Sequence, residues 1–401
     1  MTALCMSVDV QTRVAVEEEV ERSSRPTVSM LSPHPPTACG LATHSESLER
    51  ALQGLGHRVR VVRAHDGAME SDCGRKVAGN LVHGVLPTVR RAAMVLSDAD
   101  VAIVQHAFDA YGGRDGEEVL DVIRLVRAPL VTVLHQIPAD PAPNERRILE
   151  ELGRRSASVV VPTHSARARV AATYDVPLDR VVVIPRGARA AGIRPLGNVT
   201  PHRTAQVLSW GLLRPGKGFE TAIDAIAILA NSGLPVRYTI AGMTHPREAL
   251  QHGERYRLLL RDRACERGVR HLIDFDYSFR GTEHLSRFVR SSSIVVLPYD
   301  STDQVSSGVL VDSLAARRPI VATRFPHAAE LLSPGVGLLV DHDDAAAMAQ
   351  AIGSLVEDHR LHSAIIRATE PLALRHDWST VGSAYSRLTS GVRSGQPALV
   401  A

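Results

Sequence analysis

Arg214 and Lys217 stand in a glycine-broken stretch, Gly211-Leu212-Leu213-Arg214-Pro215-Gly216-Lys217-Gly218, after a strand-like run at residues 206–209 and before an amphipathic segment from Phe219. Glycine lets a backbone turn tightly and approach a ligand. Two cations in such a turn offer charge and donors that need no reorganisation to meet a pyrophosphate. A solvated basic turn is the plainer reading, but a strand, a loop and a helix in that order favour an anion site. A second stretch, Asp303-Gln304-Val305-Ser306-Ser307-Gly308-Val309-Leu310-Val311-Asp312, puts small polar residues at the start of an apolar segment. If that segment is a helix, the free amides at its start and its dipole suit a phosphate near Ser306, Ser307 and Gly308. The plainer reading makes Ser306 a cap and Asp312 a surface acid that compensates the dipole.

Two histidines end strand-like runs: His106 in Gln105-His106-Ala107-Phe108, and His135 in Leu134-His135-Gln136. A lone histidine is more often a satisfied structural residue than a functional one, so these count only in company. Gly40 lies in Pro35-Pro36-Thr37-Ala38-Cys39-Gly40-Leu41-Ala42-Thr43. There a ligand could approach the backbone and Thr43 could cap the next helix, or the stretch is a tight turn and nothing more.

The elements that must position these residues follow from the alternation of short β-branched runs with amphipathic segments, the pattern of parallel sheets covered by helices. The fold class is α/β. Strands are expected at residues 27–31, 58–62, 101–104, 130–134, 159–161 and 181–184, all centrally buried, and again at 206–209, 237–241, 271–275, 294–297 and 320–322. Between the two sets, residues 191–203 lack an apolar period and read as a linker. The expected organisation is a mobile extension over 1–25, a Rossmann-like domain over 26–190, a second over 204–358, and a helical tail over 359–401. Doubly wound sheets bind ligands at the carboxyl ends of their strands, and two facing edges would form an interdomain cleft.

The 401 residues, 44% of them hydrophobic, suffice for two cores. With 46 Lys+Arg against 43 Asp+Glu and no basic stripe, a nucleic-acid partner is not expected. Apolar runs are strand-sized, too short to span a membrane as a helix. Cys5, Cys39, Cys73 and Cys265 lack metal-type spacing and suggest a reducing compartment. The acidic N-terminus, with Glu17, Glu18, Glu19 and Glu21, argues against a secretory signal, so a cytoplasmic location is expected.

Taken in order, these four stretches resemble the retaining glycosyltransferases of family four, the group 1 type, and span most of the chain. The resemblance implies a GT-B fold, two doubly wound domains facing a cleft, with the donor held mainly by the second half and the tail crossing back to the first. It implies transfer of a glycosyl group from a nucleotide diphosphate sugar to an acceptor hydroxyl, with retention at the anomeric carbon and no metal or other cofactor. Lys217 and Arg214 would stabilise the departing diphosphate, and His135 would face the donor sugar. Gly40, Gln304, Ser306, Ser307, Gly308 and Asp312 would bind the donor, Asp312 through the ribose hydroxyls, and His106 would contact sugar or acceptor.

The chain also departs from the family. Leu212 stands where an Arg often follows the first Gly, Gln304 and Asp312 replace the two spaced glutamates, Ala107 lacks an acidic side chain, and Arg186 stands where many relatives have His. Three rivals therefore stay open: a phosphorylase, a sugar-nucleotide epimerase, and a catalytically weak sugar-nucleotide binding protein. The base, sugar and acceptor are not legible.

Overall fold

A computed structural model describes residues 25–67, 77–189, 204–278, 282–332 and 335–396. The expected extension, apart from Arg25, and the expected linker over 191–203 lie outside the described residues. The chain divides into two compact units, one of Met1–Val161, Arg169–Ile184 and Gly382–Ala401, the other of Pro162–Ala168 and Pro185–Val381.

The first unit is built on seven parallel strands: β1 (Val28–Ser32), β2 (Val59–His65), β3 (Gly79–Val82), β4 (Val101–His106), β5 (Leu130–Leu134), β6 (Ser158–Val161) and β7 (Val181–Val183). Their order is β3-β2-β1-β4-β5-β6-β7. Every residue of β1, β4, β5 and β6 is buried, as expected for strands covered on both faces. The expected set lacked β3, an edge strand in which only Leu81 is buried. It also placed β7 centrally, whereas β7 forms the opposite edge. Helix Gly40–Gly54 follows β1 and is capped by Cys39, whose sulfur accepts from the Ala42 amide, rather than by Thr43. Thr43 lies in the first turn, and its hydroxyl donates to the Cys39 carbonyl.

The second unit carries six parallel strands: β8 (Ala205–Trp210), β9 (Val236–Ala241), β10 (Ile273–Asp276), β11 (Ile294–Leu297), β12 (Ile320–Thr323) and β13 (Leu338–Val340). Their order is β10-β9-β8-β11-β12-β13. The expected set lacked β13, an edge strand, and began β10 two residues early, where His271 and Leu272 belong to a short 3-10 turn. Successive side chains of a strand point to opposite faces, so Val207 feeds the core that holds Phe219 and Ile223, and Leu208 the core that holds Leu310 and Phe325. Beyond β13 the chain is helical over Ala345–Glu357, His359–Arg375 and Trp378–Arg393. No helix among the described residues is long and apolar enough to cross a membrane.

Each sheet has one point where strand order reverses, between β1 and β4 in the first and between β8 and β11 in the second. Loops leaving the carboxyl ends of such a pair diverge and open a crevice. In the second unit those loops are residues 211–218 and 298–307, which carry the stretches with the chemistry. In the first, β4 itself ends at His106, and its neighbour β5 ends one residue before His135.

Candidate active site

The loop after β8 is fixed by backbone contacts that leave no room for a Cβ at Gly218, or at Gly242 in the neighbouring loop. Gly218 has φ +62°, and a Cβ there would sit 1.7 Å from the Pro298 carbonyl oxygen. Gly242 has φ +136°, and a Cβ there would sit 1.8 Å from the Gly211 carbonyl oxygen. Hydrogen bonds tie the same edges together: Gly211 N–H to Ala241 O at 3.0 Å, Leu213 N–H to Met243 O at 2.8 Å, and Asp300 N–H to Gly216 O at 3.3 Å. Only glycine meets both the left-handed φ and the close approach. The result is a rigid turn that presents Lys217 and leaves Arg214 exposed.

Lys217 sets its ammonium 3.9 Å from the centroid of the Tyr299 ring. Burial, with a further contribution from Arg214, pulls its pKa down from the usual lysine range to about 7. The Tyr299 and Ser307 hydroxyls are hydrogen-bonded, and burial pushes the phenol up to about 12. Tyr299 thus joins the loop after β8 to the start of helix Gly308–Ala315. Ser307 caps that helix, its hydroxyl accepting from Leu310 N–H.

The helix start differs in one respect from the expectation that the Ser306–Gly308 amides all face a phosphate. The Ser307 amide donates to His327 Nδ1 at 2.8 Å, inside the protein. Burial holds His327 down at about 3, with His376 and Arg186 adding to the effect, so its ring stays neutral and able to accept. The Gly308 and Val309 amides have no partner among the described residues and are the donors the helix start presents. Gln304 braces the turn, its Nε2 donating to the Ser306 carbonyl at 3.0 Å.

Arg186 lies over this helix start: a Cβ on Gly308 would come within 2.9 Å of its Nε. Burial raises Asp312, one turn further on, to about 6, and Arg186 opposes that rise. A guanidinium near the positive end of a helix dipole, with a lysine across the crevice, makes a place where an anion lowers the energy. Among the described residues no group of three or more His, Cys, Asp or Glu is arranged to hold a metal ion.

In the first unit, His135 directly follows β5 and is half-buried. Its amide donates to the His106 carbonyl at 3.0 Å, and its Nε2 lies 2.7 Å from Gln105 Oε1. His44 packs edge-on at 5.0 Å between ring centroids. Gly40 is exposed at the first residue of its helix. His106 departs from the expected contact with sugar or acceptor. It is 0% exposed, its ring nitrogens have no hydrogen-bond partner among the described residues, and burial holds it down at about 3. Its ring stacks on Tyr111, so in this conformation it is a core residue.

Within the second unit, then, the structure gathers Lys217, Gln304, Ser306, Ser307, Gly308 and Asp312, with Arg214 close enough to act on Lys217 and Tyr299. Within the first it gathers His135 and His106. Sequence reasoning passed over Tyr299, His327 and Gln105. The proximity of Tyr299 to the carboxyl end of the β11 run was the only local signal, and none pointed to His327.

Known proteins share this architecture. Residues 38–190 match the model described as Glycosyltransferase Family 4, and residues 204–358 the one described as Glycosyl transferases group 1. A D-inositol 3-phosphate glycosyltransferase of Acidothermus cellulolyticus is 28% identical over 248 residues, 58% of this chain and 53% of the relative. Its namesake in Corynebacterium efficiens is 27% identical over 288 residues, 66% of each chain. The matches thus span less than two thirds of these curated relatives. Among solved structures, Anabaena HepE in complex with UDP and glucose superposes with a TM-score of 0.74 at 17% identity, over 91% of this chain and 100% of that one. Sucrose-phosphate synthase of Thermosynechococcus elongatus does so with a TM-score of 0.74 at 15% identity, over 93% of this chain and 100% of that one. At such identities the likeness is one of fold.

Proposed function

The chain belongs to the group 1 glycosyltransferases of family 4, which have the GT-B fold, and on that premise we propose that it transfers a glycosyl group from a nucleoside diphosphate sugar to an acceptor hydroxyl. The observation that carries this is the Lys217 ammonium seated on Tyr299, in a turn closed by Gly218, where a Cβ would overlap the Pro298 carbonyl, beside the helix start that presents the Gly308 and Val309 amides. Departure of a nucleoside diphosphate concentrates negative charge on the leaving oxygens. Fixed donors and a cation aimed there stabilise the transition state without reorganising. Asp312 would accept the ribose hydroxyls, and His135 would meet the donor sugar.

Retention at the anomeric carbon, independence of metal and a cytoplasmic location belong to the same proposal. The donors to try first are uridine diphosphate sugars, because HepE, a protein of similar fold, was solved with UDP and with UDP-glucose. D-inositol 3-phosphate is the first acceptor to try, because the curated relatives are named for it. The test is to incubate the purified chain with UDP-, GDP- and ADP-sugars, with and without acceptor and with EDTA. Acceptor-dependent release of diphosphate, unaffected by EDTA, is expected. Binding of donors without release would favour the catalytically weak binding protein, to which the neutral Gln304 and Ala107 give some weight.

A further inference from the structure

We propose that Gln105 is a positioning residue whose buried carboxamide holds the His135 imidazole in one tautomer, with the proton on Nε2 and the lone pair on Nδ1. The inference rests on the reading of His135 as a residue of the donor site.

A carboxamide is out of place in β4, where Val101, Ala102, Ile103 and Val104 are all fully buried. Gln105 is itself 0% exposed. Leaving a buried amide unpaired is costly, so its partners decide what it does. Its Nε2 lies 3.7 Å from the Met30 sulfur, and its Oε1 lies 2.7 Å from His135 Nε2. A thioether can only accept. The NH2 group therefore faces Met30 and the oxygen faces His135. An oxygen that close to a ring nitrogen requires that nitrogen to carry the proton. Turning the carboxamide over would set oxygen against sulfur, two acceptors, and would call for the other tautomer.

The pair is held on every side. The Tyr111 hydroxyl donates to the Gln105 carbonyl at 2.7 Å, the His135 amide to the His106 carbonyl at 3.0 Å, and the Phe108 amide to Gln136 Oε1 at 3.0 Å. His44 stands edge-on to the His135 ring, 5.0 Å between centroids at 78°. A neutral imidazole protonated at Nε2 donates at that nitrogen and can only accept at Nδ1. A protonated ring would donate at both nitrogens. The carboxamide orients the ring without the charge by which a carboxylate would favour imidazolium.

Two measurements test this on the full chain. In the first, the histidine side chains are labelled with 15N, and the His135 signals are assigned by their loss in His135→Asn. The expected spectrum near pH 8 shows a protonated Nε2 and an unprotonated Nδ1. An Nδ1–H form, or an even mixture, overturns the proposal. This readout needs no transfer activity, so it stands or falls apart from the function proposed above. In the second, donor kcat/KM is followed from about pH 6 to about pH 8.5 in the wild type, Gln105→Glu and Gln105→Leu. Glutamate keeps an acceptor at Nε2 but favours imidazolium. Its profile should therefore fall by roughly tenfold toward the acid end relative to the wild type, while the leucine variant is low at every pH. Equal losses at all pH values in both variants would reduce Gln105 to packing. If Gln105→Glu fails to fold, the spectrum of the wild type still decides.

Discussion

Lys217 is held where its charge is costly. Burial and Arg214 lower its pKa to about 7, so above that pH the ligand-free protein carries it largely neutral. A bound diphosphate favours the ammonium and must raise the pKa again. Binding in the window between the free and the bound pKa then takes up a proton, and affinity falls as pH rises through it, by at most about tenfold per unit. Calorimetry of nucleoside diphosphate binding near pH 8, in buffers of different ionisation enthalpy, should show uptake approaching one proton, lost in Lys217→Met. Binding with no buffer dependence would mean that Lys217 does not meet the phosphates. Much at this scale was legible. Lys217 announced itself by its glycines, and the Ser307-Gly308 helix start by its small residues. His327 did not, because its role as acceptor for the Ser307 amide comes from a contact across 20 positions of sequence that no local pattern encodes. His106 misled for a related reason. A histidine at a strand end looks alike whether it faces a crevice or the core, and packing against Tyr111 decided for the core.

At the scale of elements, the second unit depends on loops so tightly joined that two glycines touch neighbouring carbonyls. Gly218→Ala should be severely destabilising. The left-handed conformation alone costs about 1–2 kcal/mol for a residue with a Cβ, and the overlap with Pro298 adds the displacement of a loop that carries Tyr299 and Asp300. Gly233→Ala is the control, since Gly233 has a similar φ of +80° but nothing within 4 Å of an added Cβ. Chemical denaturation should show a loss of roughly 3 kcal/mol or more for the first variant and about 1 for the second. Equal losses would show that backbone strain, not close approach, keeps glycine at position 218.

Most strands were readable because two-sided burial makes them continuous apolar runs, as in residues 159–161. The two that went unread, Gly79–Val82 and Leu338–Val340, are short edge strands, paired on one side only, and so carry a weaker apolar signal. The same one-sidedness holds for β7, where a Val-Val-Val run looks central and is not.

For the whole molecule, the two halves of the chain each match a glycosyltransferase model, and the ligand proposed for it is a nucleotide sugar. A ligand that binds only the folded state at about a hundred times its dissociation constant adds about 2.7 kcal/mol of stability. The nucleoside diphosphate of the true donor should therefore raise the melting temperature, and the matching monophosphate should do so less, because it offers Lys217 and the helix start one phosphate fewer. Equal shifts would move the diphosphate away from Lys217. The most direct measurement compares transfer by the wild type with that by Lys217→Ala, under saturating donor and acceptor, together with the melting temperature of each. Acceptor-dependent release of nucleoside diphosphate is expected from the wild type and a loss of roughly a hundredfold or more in the variant, about 3 kcal/mol of transition-state stabilisation, with melting temperature little changed. Near-normal turnover in a well-folded Lys217→Ala protein would contradict it.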